Sequence, residues 1–313
     1  MDTAAALTCA AGLILLLVGA EVLVRGGVAL ARRLRVSALV VGLTVVAFGT
    51  STPELVVSLR AALVGAGDIA LGNVVGSNIA NVLLILGLAA IVRPLRVKAQ
   101  VVRIDVPIMI GVSLLVLPVL IDGRVSRVEG VVLLAGIAGY TALSVVLARR
   151  EKEPTVLIEY DQALSPRPRT LGGQVAAILL GLSVLAIGSS LLVRGAVAFA
   201  MSIGVSEAFV GLTVVAVGTS LPELLTSVVA AARRESDIAV GNVVGSNIFN
   251  LLGILGASAV LRPIRAAGVT RFDYGVMLLA ALVLLPLAWS RLHLSRWEAL
   301  VLLAAYVTYL GLR

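Results

Sequence analysis

GTSTPELVVS at residues 49–58 and GTSLPELLTS at residues 218–227 set a proline and a glutamate inside stretches that are otherwise apolar enough to cross a membrane. Reading outward from these two segments decides the fold. Hydrophobic residues make up 60% of the 313 positions and charged residues only 13%, about half of what a soluble surface uses. Apolar runs of about 18 to 25 residues follow one another, enough to cross a hydrocarbon core about 30 Å thick. The alternating segments of about ten residues that build a transmembrane barrel are absent. The pattern predicts an all-α polytopic membrane protein with ten spans, at 7–31, 37–64, 70–92, 103–121, 127–149, 172–200, 205–232, 238–261, 272–290 and 296–312.

Charge orients these spans. No basic region precedes the first one, which therefore reads as a membrane helix and not as a cleaved signal. If the N-terminus faces out, sixteen lysines and arginines fall on inner loops and six on outer ones, so both termini are expected outside. The net charge of +8 is thus a topological signal, and no nucleic-acid partner is expected. Cys9 is the single cysteine and His293 the single histidine, which leaves neither a disulfide framework nor a soft metal site.

The chain repeats itself at an offset of 169 residues. Between 42–94 and 211–263, 34 of 53 positions are identical, including GLTVVA, GTS, PEL and GNVVGSNI. LVRG at 23–26 recurs at 192–195. That level of identity marks a duplication and not shared apolarity. Five spans per half force the second copy to enter the membrane the other way up. The expected architecture is two inverted five-helix repeats, 1–150 and 172–313, joined by a cytoplasmic linker at 151–171. Transporters of this kind hold their substrate near the midplane, between discontinuous helices of the two halves.

The motifs supply hard oxygen. Gly49 and Pro53 loosen the helix, so carbonyls around Ala47 and Gly49 are expected to lose their usual donors. Thr50 and Ser51 add hydroxyls and Glu54 a carboxylate, the ligand types that Ca²⁺ and Na⁺ prefer. Asn73, Ser77 and Asn81 are spaced four apart and share a helical face; Asn242, Ser246 and Asn250 repeat them. Single hydroxyls in membrane helices more often bond back to their own backbone, and Gly72, Gly76, Gly241 and Gly245 suit helix packing. Two glutamates at equivalent places in an inverted repeat, each inside a proline-broken span, outweigh that bland reading. Elsewhere, Glu21 and Arg25 are expected to pair internally, Asp68 and Asp237 to be solvated span ends, and Trp289, Trp297, Tyr306 and Tyr309 to anchor at interfaces.

The paired GTSxPEL and GNVVGSNI blocks, about 106 residues together, resemble the alpha-1 and alpha-2 repeats of the calcium/cation antiporter superfamily, most closely its prokaryotic sodium/calcium exchangers. The resemblance implies that Glu54 and Glu223 hold Ca²⁺ and share in Na⁺ sites. It implies oxygen ligands from Thr50, Thr219, Ser77 and Ser246 and backbone carbonyls from Ala47 and Ala216. Ser51 and Ser220 would flank the centre and Asn81 and Asn250 stand in its middle, while the first and sixth spans slide across a rigid remainder. Many relatives carry Asp where this chain has Asn250, which implies exchange without K⁺.

Two carboxylates from opposite halves carry a charge of −2, which one Ca²⁺ neutralises and several Na⁺ match. Cargos that share ligands compete, and competition with alternating access yields antiport. The sequence therefore predicts a Na⁺-driven Ca²⁺ exchanger of a prokaryotic plasma membrane, exporting Ca²⁺, with no cofactor and no obligate protein partner beyond the lipid bilayer. Proton-driven Ca²⁺ exchange by the same fold is the nearest alternative, although that branch carries a GNxxE-type motif; a cation channel is a further one. No nucleophile and base arrangement suggests an enzyme.

Overall fold

The computed structural model describes residues 3–121, 123–150, 170–202, 216–265, 268–289 and 292–313. The first half contains α1 (Thr3–Leu34), α2 (Ala38–Thr50), α3 (Thr52–Val64), α4 (Gly67–Val92), α5 (Val106–Ile121) and α6 (Arg127–Arg150). The second contains α7 (Leu171–Ser202), the single turn α8 (Ala216–Thr219), α9 (Leu221–Ala232), α10 (Ser236–Leu261), α11 (Arg271–Trp289) and α12 (Arg296–Leu312). Among the described residues, six helices are long and apolar enough to cross a membrane, and a seventh if the bent pair α2 and α3 is one span. The molecule is thus an all-helical, multi-pass membrane protein. Within the described residues, the helices fall within a few positions of the predicted spans. Residues 205–215 of the predicted seventh span and 151–169 of the linker lie outside the described residues.

Two helices form the centre. In α10, 94% of the most apolar window is buried inside the protein, and in α4 72%, against 33% in α1 and 28% in α7. The GNVVGSNI motifs therefore occupy the protein interior, while α1 and α7 leave most of their surface for lipid.

α1 and α7 are locked to each other by glycine. Gly12, Gly19 and Gly26 recur every seven residues on α1, and Gly181, Gly188 and Gly195 do so on α7. A Cβ added to Gly19 would lie 2.8 Å from the Leu185 nitrogen, one on Gly188 2.8 Å from that of Leu16, and one on Gly195 2.7 Å from that of Cys9. Residue numbers in these contacts rise along one helix as they fall along the other, so the two equivalent helices run antiparallel. Backbones this close leave no room for a methyl group, and small residues at such spacing let helices pack closely in lipid.

Short ribbons close the ends. β1 (Leu95–Arg96) pairs antiparallel with β4 (His293–Leu294), and β2 (Arg124–Val125) with β3 (Ile264–Arg265), each joining a loop of one half to a loop of the other. Two surface expectations change. Asp237 is not a solvated end but pairs with Lys98 at 3.0 Å, while Asp68 is exposed at its helix start as expected and also accepts the Gly268 N–H at 2.7 Å. Tyr309 is buried and donates to Asp273 at 2.7 Å instead of lying at an interface. Glu21 pairs with Arg25 as expected, and Arg233, just past the end of α9, joins them at 2.5 Å.

Candidate functional site

The proline in each motif sets the site's backbone. Pro53 and Pro222 stand in the first turn of α3 and α9, where a missing N–H is tolerated. Each helix is preceded by a serine outside helical geometry, Ser51 at φ −79°, ψ 9° and Ser220 at φ −85°, ψ 6°. In the first half the axis turns by 46° there. Glu54 and Glu223 consequently sit in the first turn of their helices, with 1% of each residue exposed. The carbonyls of Ala47 and Gly49 are not left without donors, contrary to the sequence expectation. Both accept capping N–H groups, and Ala47 O also takes Thr50 Oγ1 at 3.2 Å and Ser246 Oγ at 3.4 Å. The tight turn at Ser51 absorbs what the proline removes.

Side chains from opposite halves meet around the two carboxyls. Ser220 donates to Glu54 Oε1 at 2.9 Å and lies 3.4 Å from Ser77 Oγ. Thr219 stands close enough to act on the same carboxyl, and the charges of Glu54 and Glu223 act on each other. Thr50 and Ser51 face Glu223, yet their protons are engaged elsewhere. Thr50 Oγ1 donates to Asn242 Oδ1 at 3.0 Å and Ser51 Oγ to Ser246 Oγ at 2.9 Å. Neither oxygen of Glu223 has a hydrogen-bond partner.

Asn73 and Asn242 do positioning work that spacing alone did not reveal. Asn73 donates to the Glu54 carbonyl at 3.0 Å and to Ser58 at 2.8 Å. Asn242 treats the Glu223 carbonyl and Ser227 in the same way, at 3.2 and 2.9 Å. Each amide thereby ties the start of the glutamate's helix to the buried helix beside it.

Asn78 and Asn247 were missed in the sequence, although both lie in GNVVGSNI and recur at the repeat offset. They form a four-amide cluster with Asn81 and Asn250. Asn81 donates to Asn247 Oδ1 at 2.9 Å and Asn250 to Asn78 Oδ1 at 3.0 Å; Asn78 and Asn247 donate to each other's carbonyls at 3.4 and 3.3 Å. These reciprocal bonds are what a two-fold relation between halves produces. A π-helical turn begins at Asn81 and another at Asn250, an irregularity that recurs at functional sites.

With their donors spent on the cluster, Asn81 Oδ1 and Asn250 Oδ1 have no partner of their own, and neither does Glu54 Oε2. Including both oxygens of Glu223, five buried oxygen acceptors from the two halves lack a donor. An unpaired buried acceptor costs about 1 to 3 kcal/mol, more when it is charged, so five together call for an occupant that supplies positive charge. Of the twelve residues singled out in the sequence, eleven take part in the contacts just described, and Ala216 does not. Ala216 begins the single helical turn α8, which ends at Thr219.

The family described as sodium/calcium exchanger protein matches residues 4–146 and 173–313. The putative antiporter CaxA of Alkalimonas amylolytica is 39% identical over 95% of both chains. The sodium/calcium exchanger MaX1 of Methanosarcina acetivorans is 33% identical over 96% of this chain and 95% of its own. Solved structures of the sodium-calcium exchanger NCX_Mj superimpose with a TM-score of 0.85, at 31% identity and 99% coverage of both chains.

Proposed function

The chain belongs to the sodium/calcium exchanger family, whose members are cation antiporters, and we propose that it exchanges Ca²⁺ for Na⁺ by alternating access. The observation that carries this reading is the set of five unpartnered buried oxygens on Glu54, Glu223, Asn81 and Asn250. Ca²⁺ takes about six to eight oxygen ligands. Hydroxyls of Thr50, Thr219, Ser77 and Ser246 and the carbonyls of Ala47 and Ala216 complete the set, with Ser220 orienting the Glu54 carboxyl and Ser51 flanking Glu223.

The two carboxylates give the empty site a charge of −2. One Ca²⁺ neutralises it, and Na⁺ ions in the same oxygens match it, so the cargos exclude one another. Movement across the membrane with the site vacant leaves two charges uncompensated in a poorly polarisable interior, whereas the loaded site is neutral. Exchange follows from that difference, because the protein changes state more readily when one cargo or the other is bound.

The reading includes ten spans in two inverted repeats, 1–150 and 172–313, joined by a cytoplasmic segment at 151–171. Antiparallel packing of α1 on α7 supports inversion, since equivalent helices of parallel repeats would run the same way. The glycine-locked pair α1 and α7, with most of its surface toward lipid, is the unit that slides past the central helices. The protein works in a prokaryotic plasma membrane with both termini outside, and exports Ca²⁺. Uptake of radiolabelled Ca²⁺ into proteoliposomes tests this directly. An outward-directed Na⁺ gradient should drive saturable uptake that a protonophore leaves unchanged. Collapse of uptake by the protonophore would indicate proton coupling, and uptake without a counter-ion would indicate a channel.

A further inference from the structure

The ribbon loops of the two halves match in sequence but not in how they spend their arginines. Arg262 follows α10 and its Nη1 donates to the Leu63 carbonyl at the end of α3, at 2.8 Å. It lies across Gly65, where a Cβ would sit 3.1 Å from the guanidinium. Arg93 follows α4 at the equivalent place, and its matching acceptor would be the carbonyl of Ala232 at the end of α9. The turns there are alike. Gly65 and Ala66 donate back to Ala62 and Ala61 at 3.0 and 2.8 Å, and Arg234 and Glu235 to Ala231 and Ala230 at 3.0 and 2.9 Å. The position of Gly65, φ 83°, is filled in the second half by Arg234 at φ 67°.

A side chain in left-handed geometry is strained, and here its Cβ also takes the seat that Arg262 enjoys over glycine. The Arg93 side chain accordingly makes no hydrogen bond or ion pair among the described residues. Its guanidinium instead lines a cavity of about 610 Å³ together with Arg96, His293 and Arg296, with Val92 and Ala232 on the apolar side. The Arg96 side chain is equally without a partner among the described residues. Arg296 is fixed on the wall by its bond to the Ile91 carbonyl at 3.1 Å. Nearby acids do not neutralise the group: Asp237 is paired with Lys98, and Glu298 caps α12 through the Ser295 N–H at 2.6 Å.

The surroundings indicate the ligand's source. Trp297, 79% exposed, adjoins Arg296, and Trp289, 62% exposed, ends α11 on the other side of the same loop. Exposed tryptophans mark the level of lipid headgroups. Val92, 46% exposed, gives the cavity an apolar lip. Basic pockets of this kind between membrane helices suit phosphate groups, which guanidinium binds through two parallel hydrogen bonds. We propose that this cavity binds the phosphate of an anionic phospholipid headgroup, in the inner leaflet if the termini face out as proposed above.

The test uses the full-length protein in a nonionic detergent and native mass spectrometry with added phosphatidylglycerol, phosphatidylcholine or inorganic phosphate. Wild-type protein should retain phosphatidylglycerol in preference to the other two. Arg93→Gln with Arg96→Gln should weaken that binding about 30-fold, whereas the charge-matched Arg124→Gln with Arg127→Gln at the other ribbon should not. A second pair of variants isolates the seating argument. Arg234→Asn keeps a Cβ, while Arg234→Gly opens the seat to Arg93, so the glycine variant should bind the lipid about fivefold more weakly than the asparagine one. Retained binding in the Arg93 and Arg96 variant, equal binding of phosphatidylcholine, or displacement by inorganic phosphate at equal concentration would each overturn the proposal. Because lipid retention is read without transport, its failure would leave the exchanger reading intact.

Discussion

Glu54 and Glu223 occupy the same place in motifs 169 residues apart, yet their carboxyls are held differently. Glu54 has one oxygen fixed by Ser220 from the other half, and Glu223 has neither oxygen fixed. The cause is local. Ser51, the counterpart of Ser220, gives its proton to Ser246, and Thr50 gives its own to Asn242. Duplication has set which ligand types stand in the site, while competition among hydroxyls has set which carboxyl stays free. The proposed cation site thus presents one preorganised carboxylate and one that is free to follow the ion.

The strongest way to break this comparison is to neutralise the carboxyls one at a time. Glu54→Gln and Glu223→Gln keep the volume and remove one of two buried charges, a loss on the order of 3 kcal/mol or more. Na⁺-driven Ca²⁺ uptake should fall by about 100-fold or more in both, with the protein still monodisperse. Near-normal uptake in either variant would remove that carboxyl from the site.

The amide cluster offers the next test. Asn250→Asp replaces a donor to Asn78 Oδ1 with an acceptor, which should lower thermal stability by about 1 to 3 kcal/mol. It also adds a titratable group beside the carboxyls, so exchange should acquire a new pH or Na⁺ dependence. Asn81→Asp breaks the equivalent bond to Asn247 and should do the same. An unchanged ion and pH profile in both would reduce these positions to scaffolding.

The serine asymmetry predicts a smaller, directional effect. Ser220→Ala releases Glu54 and removes a hydrogen bond to a charged group, which should weaken Ca²⁺ binding about tenfold by calorimetric titration. Ser51→Ala breaks only a bond between hydroxyls and should cost about threefold. Equal losses would mean that both carboxyls are held alike once the cation enters.

Much of this arrangement was legible in the chain. Apolar run length placed the described helices within a few residues, and the 169-residue offset paired Glu54 with Glu223. What escaped was interaction across the halves. Spacing put Asn73, Ser77 and Asn81 on one face, but it carries no information on partners from another helix, so the Asn78 and Asn247 bonds were invisible. The π turns at Asn81 and Asn250 escaped for a related reason: they answer to packing around the amides and not to propensity. The glycines of α1 and α7 were readable at seven-residue spacing, yet in apolar runs their weight appears only when backbones are seen in contact.

The least effect is expected where the repeat itself is broken. Glu21 on α1 pairs with Arg25 and with Arg233 just past the end of α9, while the equivalent position on α7 is Ser190. These partners are about half exposed, Arg25 at 45% and Arg233 at 52%, so solvent and salt screen the pairs. Glu21→Gln should therefore shift stability by less than about 1 kcal/mol. Its position gives it a second, kinetic consequence. α1 belongs to the pair proposed above to slide and α9 carries Glu223, so on that reading the bridge from Glu21 to Arg233 holds the two units in one register, with no counterpart on α7. Removing it should alter the exchange rate at saturating Ca²⁺ by a fewfold while leaving Ca²⁺ affinity in place. A variant that instead lost Ca²⁺ affinity would place Glu21 in communication with the cation site, and the sharp division between mobile pair and central helices would fall.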